Sequence, residues 1–140
     1  MISIDLSGKT VLITGALGAI AEHMVRKLAA SGATLVLTDI KGDEQAKRAL
    51  TDWKISPSSY LYLSADITDS DQVESVVSAA FEKFPGMDTV IGHAGGCGLH
   101  PFASTSEVEY ERIFRFNYFA QTYLARSVLV RWIQRKIWVT

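Results

Sequence analysis

The sequence predicts an α/β fold, in which a parallel sheet is covered by helices on both faces. Short apolar runs typical of buried strands alternate four times with longer segments that carry the helical period. Each helical segment is near the length that a crossover between parallel strands needs. Because such crossovers are right-handed, the order of elements favours the doubly wound topology.

The first half of the chain contains three predicted strands and two predicted helices. Short apolar runs, the first of them rich in β-branched residues, predict strands at residues 10–14, 34–38 and 60–64. A helix is predicted over 19–30, where Ile20, Met24 and Leu28 recur every four positions. Gly32 can take the left-handed cap that ends this helix. A second helix is predicted over about 43–53, and the residues at 55–59 are typical of a turn.

The second half begins with the clearest helix of the sequence. Asp69 is a candidate N-cap with Gln72 three residues later, and an apolar stripe runs from Val73 to Phe84. A fourth strand is predicted at 89–92, followed by a glycine-rich loop at 93–104. Ser106 and Glu109 form a capping box that opens one long helix reaching Lys136. The last residues, 137–140, are typical of the beginning of a fifth strand.

Length and composition predict a single domain over residues 1–140. Fourteen basic and fifteen acidic side chains nearly cancel, so no overall field favours nucleic acid or an anionic membrane. The single Cys97 excludes an internal disulfide and favours an intracellular protein. No signal peptide is visible at residues 1–6, no run of 18 apolar residues occurs, and no histidines share metal-ligand spacing. We therefore expect a cytoplasmic protein without a metal site.

A glycine turn stands between the first predicted strand and the first predicted helix. Gly15 and Gly18 allow a sharp turn and let a diphosphate approach without a Cβ in the way. The helix N-terminus behind them offers free N–H groups and the positive end of a dipole. Glycine also occurs in strand-to-helix turns that bind nothing, but this place in the order of elements favours a dinucleotide. The expected cofactor-binding residues of the turn are Thr14, Gly15, Leu17, Gly18, Ala19 and Ile20.

Two acidic residues follow the second and third predicted strands. Asp39 comes about 20 positions after the glycine turn, where a carboxylate can accept hydrogen bonds from a ribose diol. Its charge would repel a 2′-phosphate and so favours NAD over NADP, although nearby Lys41 softens this preference. Asp39 could instead cap the helix that follows it. Asp66 and Ile67 can lie near an adenine ring, and Asp66 could equally be a turn or cap residue.

These features resemble the short-chain dehydrogenase/reductase family, whose fold is a Rossmann-type sheet. The resemblance covers the whole chain and includes Asn117 in the long helix. The family's glycine turn occurs here as the variant Thr-Gly-x-x-Gly-x-x-Ala. The family's Asn-x-Ala-Gly segment is Gly92-His93-Ala94-Gly95, so the bracing role of that asparagine would pass to His93 or be lost. The resemblance implies that His93, Ala94 and Gly95 lie beside the cofactor.

The resemblance also implies an activity, hydride transfer between NAD and an alcohol or carbonyl substrate. Asn117 matches the helix asparagine of the family's proton relay, although it could simply bend the long helix by bonding to backbone carbonyls. The family's serine and Tyr-x-x-x-Lys cannot be found, because none of the five tyrosines has lysine four positions later. We therefore expect a truncated form that keeps the cofactor half of the site and is inactive alone.

The long helix suggests partners. Between residues 112 and 136 it carries six basic residues, no acidic ones, and more apolar side chains than one buried stripe requires. In the resembled family this helix often packs against a second subunit, which implies a homo-oligomer through 106–136. A non-catalytic module that binds NAD or pairs with a longer subunit is an alternative to the enzyme. A nucleic-acid surface on the basic helix is less favoured, since cations near a helix C-terminus have a simpler explanation.

Overall fold

Four parallel strands form the sheet, as the sequence predicts. The computed structural model describes residues 4–137. Strand order across the sheet is β3-β2-β1-β4, with every pair parallel. The strands are β1 (Thr10–Thr14), β2 (Thr34–Asp39), β3 (Tyr60–Ser64) and β4 (Thr89–Ile91). All four carboxyl ends therefore meet at one edge of the sheet, and the chain crosses from one side of β1 to the other between β3 and β4.

Helices connect the strands. They are α1 (Ala19–Ala30), α2 (Asp43–Asp52) and α3 (Ser70–Lys83), followed by α4 (Glu107–Phe114) and α5 (Ala120–Arg135). Short 3₁₀ turns occur at Pro57–Ser59 and Phe102–Ser104. Among residues 4–137, no helix has both the length and the apolar character needed to cross a membrane.

Side chains alternate between the two faces of the sheet along each strand, and helices bury both faces. On one face, Leu12 and Val36 pack with apolar residues of α3 and α5. On the other face, Val11 and Ile13 pack with residues of α1 and α2. The two cores are dominated by aliphatic side chains that are almost fully buried. The doubly wound arrangement predicted from the sequence is therefore confirmed.

Local signals mark the helix ends as expected. The Asp69 carboxylate accepts hydrogen bonds from the N–H groups of Asp71 (2.9 Å) and Gln72 (3.3 Å) at the start of α3. The Ser106 hydroxyl accepts one from the N–H of Glu109 at 3.2 Å. Gly32, just after α1, has a φ of +88°, which an L-residue with a side chain rarely adopts. These three ends are therefore set by residues within a few positions of each helix.

The long helix differs from the expected regular helix. A wide π-helical turn, Arg115–Phe119, separates α4 from α5. Asn117 lies at its centre, and its Nδ2 donates to the carbonyl of Ile113 at 2.9 Å. Amide side chains that bond to the preceding turn disturb regular helical hydrogen bonding, which explains the wide turn.

The expected beginning of a fifth strand is only partly covered by the described residues. Ile137 is not part of a strand and instead donates its N–H to the carbonyl of Trp132 at 3.0 Å. Residues 138–140 lie outside the described residues, as do residues 1–3 of the segment examined for a signal peptide.

Candidate functional site

The glycine turn lies at the carboxyl edge of the sheet, between β1 and α1. Gly15 has a φ of +63°, and a Cβ built there would lie 2.7 Å from the Cα of Ala94. Gly18 is the N-cap of α1 and donates its N–H to the Gly15 carbonyl at 3.1 Å. Only glycine both adopts this positive φ readily and leaves room for Ala94, so the turn can pack directly on the loop after β4.

Asp39 holds the glycine turn from the end of β2. Its Oδ2 accepts a hydrogen bond from the N–H of Leu17 at 3.0 Å, and its Oδ1 accepts one from the N–H of Lys41 at 3.3 Å. The Lys41 ammonium donates to the Leu17 carbonyl at 3.1 Å. The N-cap of α2 is Gly42. The alternative in which Asp39 caps this helix is therefore wrong, and the carboxylate faces the glycine turn.

Tyr62 supports the same corner from β3. Its hydroxyl contacts the carbonyls of Lys41 at 2.5 Å and Asp39 at 3.3 Å. Burial, reinforced by the negative charges of Asp39 and Asp43, raises the pKa of Tyr62 above its ordinary value. The phenol therefore stays protonated near neutral pH and remains a hydrogen-bond donor.

Asp66 follows β3 and forms a local turn. Its Oδ1 accepts from both the N–H (2.9 Å) and the hydroxyl (2.7 Å) of Thr68. The N-cap of α3 is Asp69, so the structure supports the turn alternative for Asp66 and not the cap. Asp66 and its neighbour Ile67 nevertheless line the same crevice as the glycine turn.

The loop after β4 is held by side chains from three elements, β1, the π-helical turn and α5. The Thr14 hydroxyl accepts a hydrogen bond from the N–H of Ala94 at 3.1 Å, and Gln121 Nε2 donates to the Ala94 carbonyl at 2.5 Å. Asn117 accepts from the N–H of Gly96 at 3.0 Å and donates to its carbonyl at 2.6 Å. Three side chains thus fix the backbone of this loop.

His93 does not take over the bracing role expected for it. Its Nδ1 is buried and has no hydrogen-bond partner among the described residues. Of the two expected outcomes, the structure therefore favours loss of the bracing role at position 93, and Thr14 and Gln121 hold the adjacent peptide instead. Both are distant from Ala94 in sequence, and no local motif marks Gln121 as a partner.

These segments enclose an open crevice of about 290 Å³ at the carboxyl edge of the sheet. Its lining comes from the glycine turn and from the segments after β2, β3 and β4: Gly15, Gly18, Asp39, Ile40, Lys41, Ala65, Asp66, Ile67, His93, Ala94, Gly95 and Phe116. Eight of the twelve expected cofactor-binding residues, Gly15 included, are among these lining residues. This is the place where doubly wound sheets bind ligands.

Several expected site residues do not line the crevice. Thr14 and Leu17 are buried beneath the turn and contribute hydrogen-bonding groups, whereas Ala19 and Ile20 are exposed at the start of α1. Asn117 acts through Gly96. The sequence interpretation missed Ile40, Ala65 and Phe116 as lining residues; the first two are sequence neighbours of Asp39 and Asp66, a signal that could have found them.

The crevice offers hydrogen-bonding groups that suit a dinucleotide. Gly18 has no side chain, so the N-terminus of α1 stays open to a diphosphate. An ionised carboxylate has lone-pair positions beyond those used by Leu17 and Lys41, so Asp39 can still accept from a ribose diol. Within residues 4–137 no group of three or more His, Cys, Asp or Glu side chains is arranged to hold a metal ion.

Comparisons with known proteins agree with this geometry. A family model described as short chain dehydrogenase matches residues 9–137. The chain is 30% identical over 123 residues to a galactitol 2-dehydrogenase of Agrobacterium fabrum, which covers 88% of the chain and 46% of that protein. It is 29% identical over 126 residues to a hydroxynaphthalene reductase-like protein of Metarhizium anisopliae, covering 90% of the chain and 47% of the relative.

Solved structures show the same likeness. A glucose/ribitol short-chain dehydrogenase/reductase from Brucella melitensis superposes with a TM-score of 0.86 at 30% identity, covering 93% of this chain and 54% of the other. A hydroxysteroid dehydrogenase from Escherichia coli superposes with a TM-score of 0.81 at 25% identity, covering 93% and 55%. The chain spans about half the length of the curated relatives it matches. With a family match across almost its entire length, the chain belongs to the short-chain dehydrogenase family of oxidoreductases, whose members bind nicotinamide cofactors.

Proposed function

We propose that this chain forms the NAD-binding half of an oxidoreductase that transfers hydride between the nicotinamide cofactor and an alcohol or carbonyl substrate. The observation that carries the proposal is the position of Asp39, whose carboxylate lines the crevice while its Oδ2 holds the glycine turn. In this arrangement the diphosphate lies at Gly18 and the N-terminus of α1, and the adenosine ribose lies at Asp39. The segments after β3 and β4 form the remaining walls.

Charge supports NAD over NADP. A 2′-phosphate on the adenosine ribose would lie against the Asp39 carboxylate and be repelled by it. Lys41 also lines the crevice and has an opposing effect, but its ammonium donates to the Leu17 carbonyl. Recruiting Lys41 to a phosphate would break that contact, so the carboxylate decides the preference.

The names of two relatives support the proposed substrate class. A galactitol 2-dehydrogenase and a hydroxynaphthalene reductase-like protein are both named for alcohol or carbonyl chemistry. We propose the same class here and no particular substrate. Asn117 would belong to the proton relay of the reaction, in which it would act from the π-helical turn while its side chain holds Gly96. The single Cys97, which is exposed, supports a reducing, cytoplasmic location.

Two N-cap glycines provide a matched test of cofactor binding. Gly18 and Gly42 cap α1 and α2 with nearly the same backbone conformation, and neither has a positive φ. Gly18→Val puts a side chain where the diphosphate would lie, with its Cβ 3.3 Å from the Gly15 carbonyl oxygen, and Gly42→Val puts one into open space. We expect isothermal titration with NAD to show saturable binding for wild type and Gly42→Val, and at least about tenfold weaker binding for Gly18→Val. Equal affinity of all three would contradict the proposed site.

We propose that the 140 residues do not turn over substrate alone. The chain contains no tyrosine followed by lysine four positions later, so it has no such acid to protonate a carbonyl. NADH oxidation should stay at the background rate with a panel of aldehydes and ketones, under conditions where NADH binding is saturated. Turnover at an ordinary dehydrogenase rate would refute this part of the proposal.

A non-catalytic pairing module is the second candidate, and the exposed surface of α4, the π-helical turn and α5 favours it. Large apolar side chains are exposed there: Phe114, Tyr118, Phe119, Leu129, Val130 and Ile133. We propose that this surface pairs with a second copy of the chain or with a longer relative. Sedimentation equilibrium should show self-association that Leu129→Glu combined with Ile133→Glu abolishes. A monomeric wild type at all concentrations would exclude pairing between copies of this chain.

A further inference from the structure

One of the contacts that hold the loop after β4, the hydrogen bond from Gln121, has no counterpart in the sequence motifs. Residues 93–96 have no regular secondary structure, and His93, Ala94 and Gly95 line the crevice. Ala94 has its N–H bonded to Thr14 on β1 and its carbonyl bonded to Gln121 on α5. Gln121 is therefore the group through which α5 holds the peptide that faces the glycine turn.

Gly92 and Gln121 fit together sterically. A Cβ built on Gly92 would collide with the amide oxygen of Gln121. The space beside residue 92 is thus filled by the Gln121 side chain, which reaches past Gly92 to the Ala94 carbonyl. A side chain at position 92 would displace the amide of Gln121 from its present position, so the two residues are sterically coupled.

Movement of Ala94 would change the crevice directly. Its Cα lies 2.7 Å from the position that a Cβ on Gly15 would occupy, which makes it the nearest atom to the inner side of the glycine turn. Losing the Gln121 bond would leave the Ala94 carbonyl without its side-chain donor and release the loop toward or away from Gly15. The distance between the glycine turn and the 93–96 loop would then no longer be fixed by Gln121 on α5.

We propose that Gln121 is a positioning residue for the crevice, which holds the 93–96 loop in register with the glycine turn through the Ala94 carbonyl. This inference rests on the proposed function where it concerns NAD affinity, and it stands by itself where it concerns the order of the loop. Gln121 touches the loop and not the ligand, so its effect on binding is indirect.

Gln121→Glu tests the hydrogen bond with almost no change in shape. An ionised glutamate cannot donate to the Ala94 carbonyl and repels it, whereas a protonated one can donate. At about pH 8 we expect NAD to bind to this variant about fivefold to twentyfold more weakly than to wild type. The ratio of the dissociation constants of variant and wild type should fall severalfold as the pH is lowered to about 5. Gln134→Glu, at an exposed position of the same helix, is the matched control and should bind like wild type throughout.

Gln121→Met removes the donor at similar length and adds no charge. Hydrogen exchange at the Ala94 and Gly96 amides should be about tenfold faster than in wild type, while exchange in β1 and β2 is unchanged. Unchanged exchange at these amides, or a Gln121→Glu affinity ratio that does not vary with pH, would overturn the proposal. If wild type binds no dinucleotide, the proposed function fails, and the exchange rates alone then decide whether Gln121 positions the loop.

Discussion

At the scale of single residues, the site depends on groups that bring backbone segments close together. Gly15 touches the loop after β4 at a distance that no side chain permits, and Asp39 holds the N–H of Leu17 from the neighbouring strand. Both residues were expected at the site from the sequence. Their effects separate experimentally, because the first is steric and the second electrostatic.

Gly15→Ala should destabilise the fold by more than backbone strain alone. Gly8 and Gly15 both have positive φ, +80° and +63°, but a Cβ on Gly8 meets nothing within 4 Å. Gly8→Ala should therefore cost only the left-handed strain of about 1–2 kcal/mol. Gly15→Ala adds overpacking against Ala94, on the order of another 1–3 kcal/mol. Urea unfolding of both variants measures the difference, and equal losses would show that the loop yields freely.

Asp39→Asn should reduce the preference for NAD. Asparagine keeps an oxygen that can accept from the N–H of Leu17, so the turn remains held, while the charge that repels a 2′-phosphate disappears. The ratio of NADP to NAD dissociation constants should fall by about tenfold. Titration of wild type and variant with both dinucleotides measures this ratio. An unchanged ratio would mean that Asp39 does not face the adenosine ribose.

At the scale of elements, the helices carry their own end signals. α3 begins at Asp69, whose carboxylate accepts two backbone N–H groups and the side chain of Gln72. These hydrogen bonds, that of Gln72 first, lower the pKa of Asp69 below its ordinary value. A carboxyl whose pKa is lower in the folded state stabilises the fold above its unfolded pKa and loses that effect as the pH falls through the folded pKa.

Asp69→Ala should therefore lose stability in a pH-dependent way. Wild type should be more stable than the variant near neutral pH, and the difference should shrink below about pH 4, where the carboxyl becomes protonated. Thermal unfolding at several pH values measures the difference. Ser78→Ala, at an exposed position in the middle of α3, removes no titratable group and is the control that should lack this dependence. A constant difference between Asp69→Ala and wild type would show that the charge is not involved.

At the scale of the whole molecule, β1 contributes side chains to the cores on both faces of the sheet and leads directly into the glycine turn. One face is packed by α1 and α2, and the other by α3 and α5. The walls of the crevice are formed by the segments that follow β1, β2, β3 and β4, and these segments come from both halves of the chain. A ligand that contacts all of these segments should therefore stabilise the molecule as a unit.

NAD should raise the midpoint of thermal unfolding. A ligand that binds only the folded state at about 100 times its dissociation constant adds about 2.7 kcal/mol of stability. For a domain of this size the corresponding shift is on the order of 10 °C. Scanning calorimetry with increasing NAD measures it, and Gly18→Val, which should bind at least about tenfold more weakly, should show about half of this shift or less at the same NAD concentration. A midpoint independent of NAD at saturating concentrations would argue against specific binding.

Much of the fold was predictable because its signals are local. The four strands, the cap residues Asp69 and Ser106 and the stop at Gly32 each depend on residues within a few positions, so periodicity and turn chemistry reveal them. The order of these elements then restricts the sheet to few topologies. The glycine turn and Asp39 were recognisable for the same reason, since their spacing matches a known strand–turn–helix unit.

The sequence by itself determined the order of elements, the doubly wound class and the segments that form the crevice. Only the tertiary structure decided that Lys41 bonds to Leu17, that Gln121 fills the space beside Gly92, and that Asn117 opens a π-helical turn as it holds Gly96. These contacts join residues 21 to 29 positions apart across different elements. Their geometry depends on how helices and strands pack, and no local pattern of residues encodes that packing.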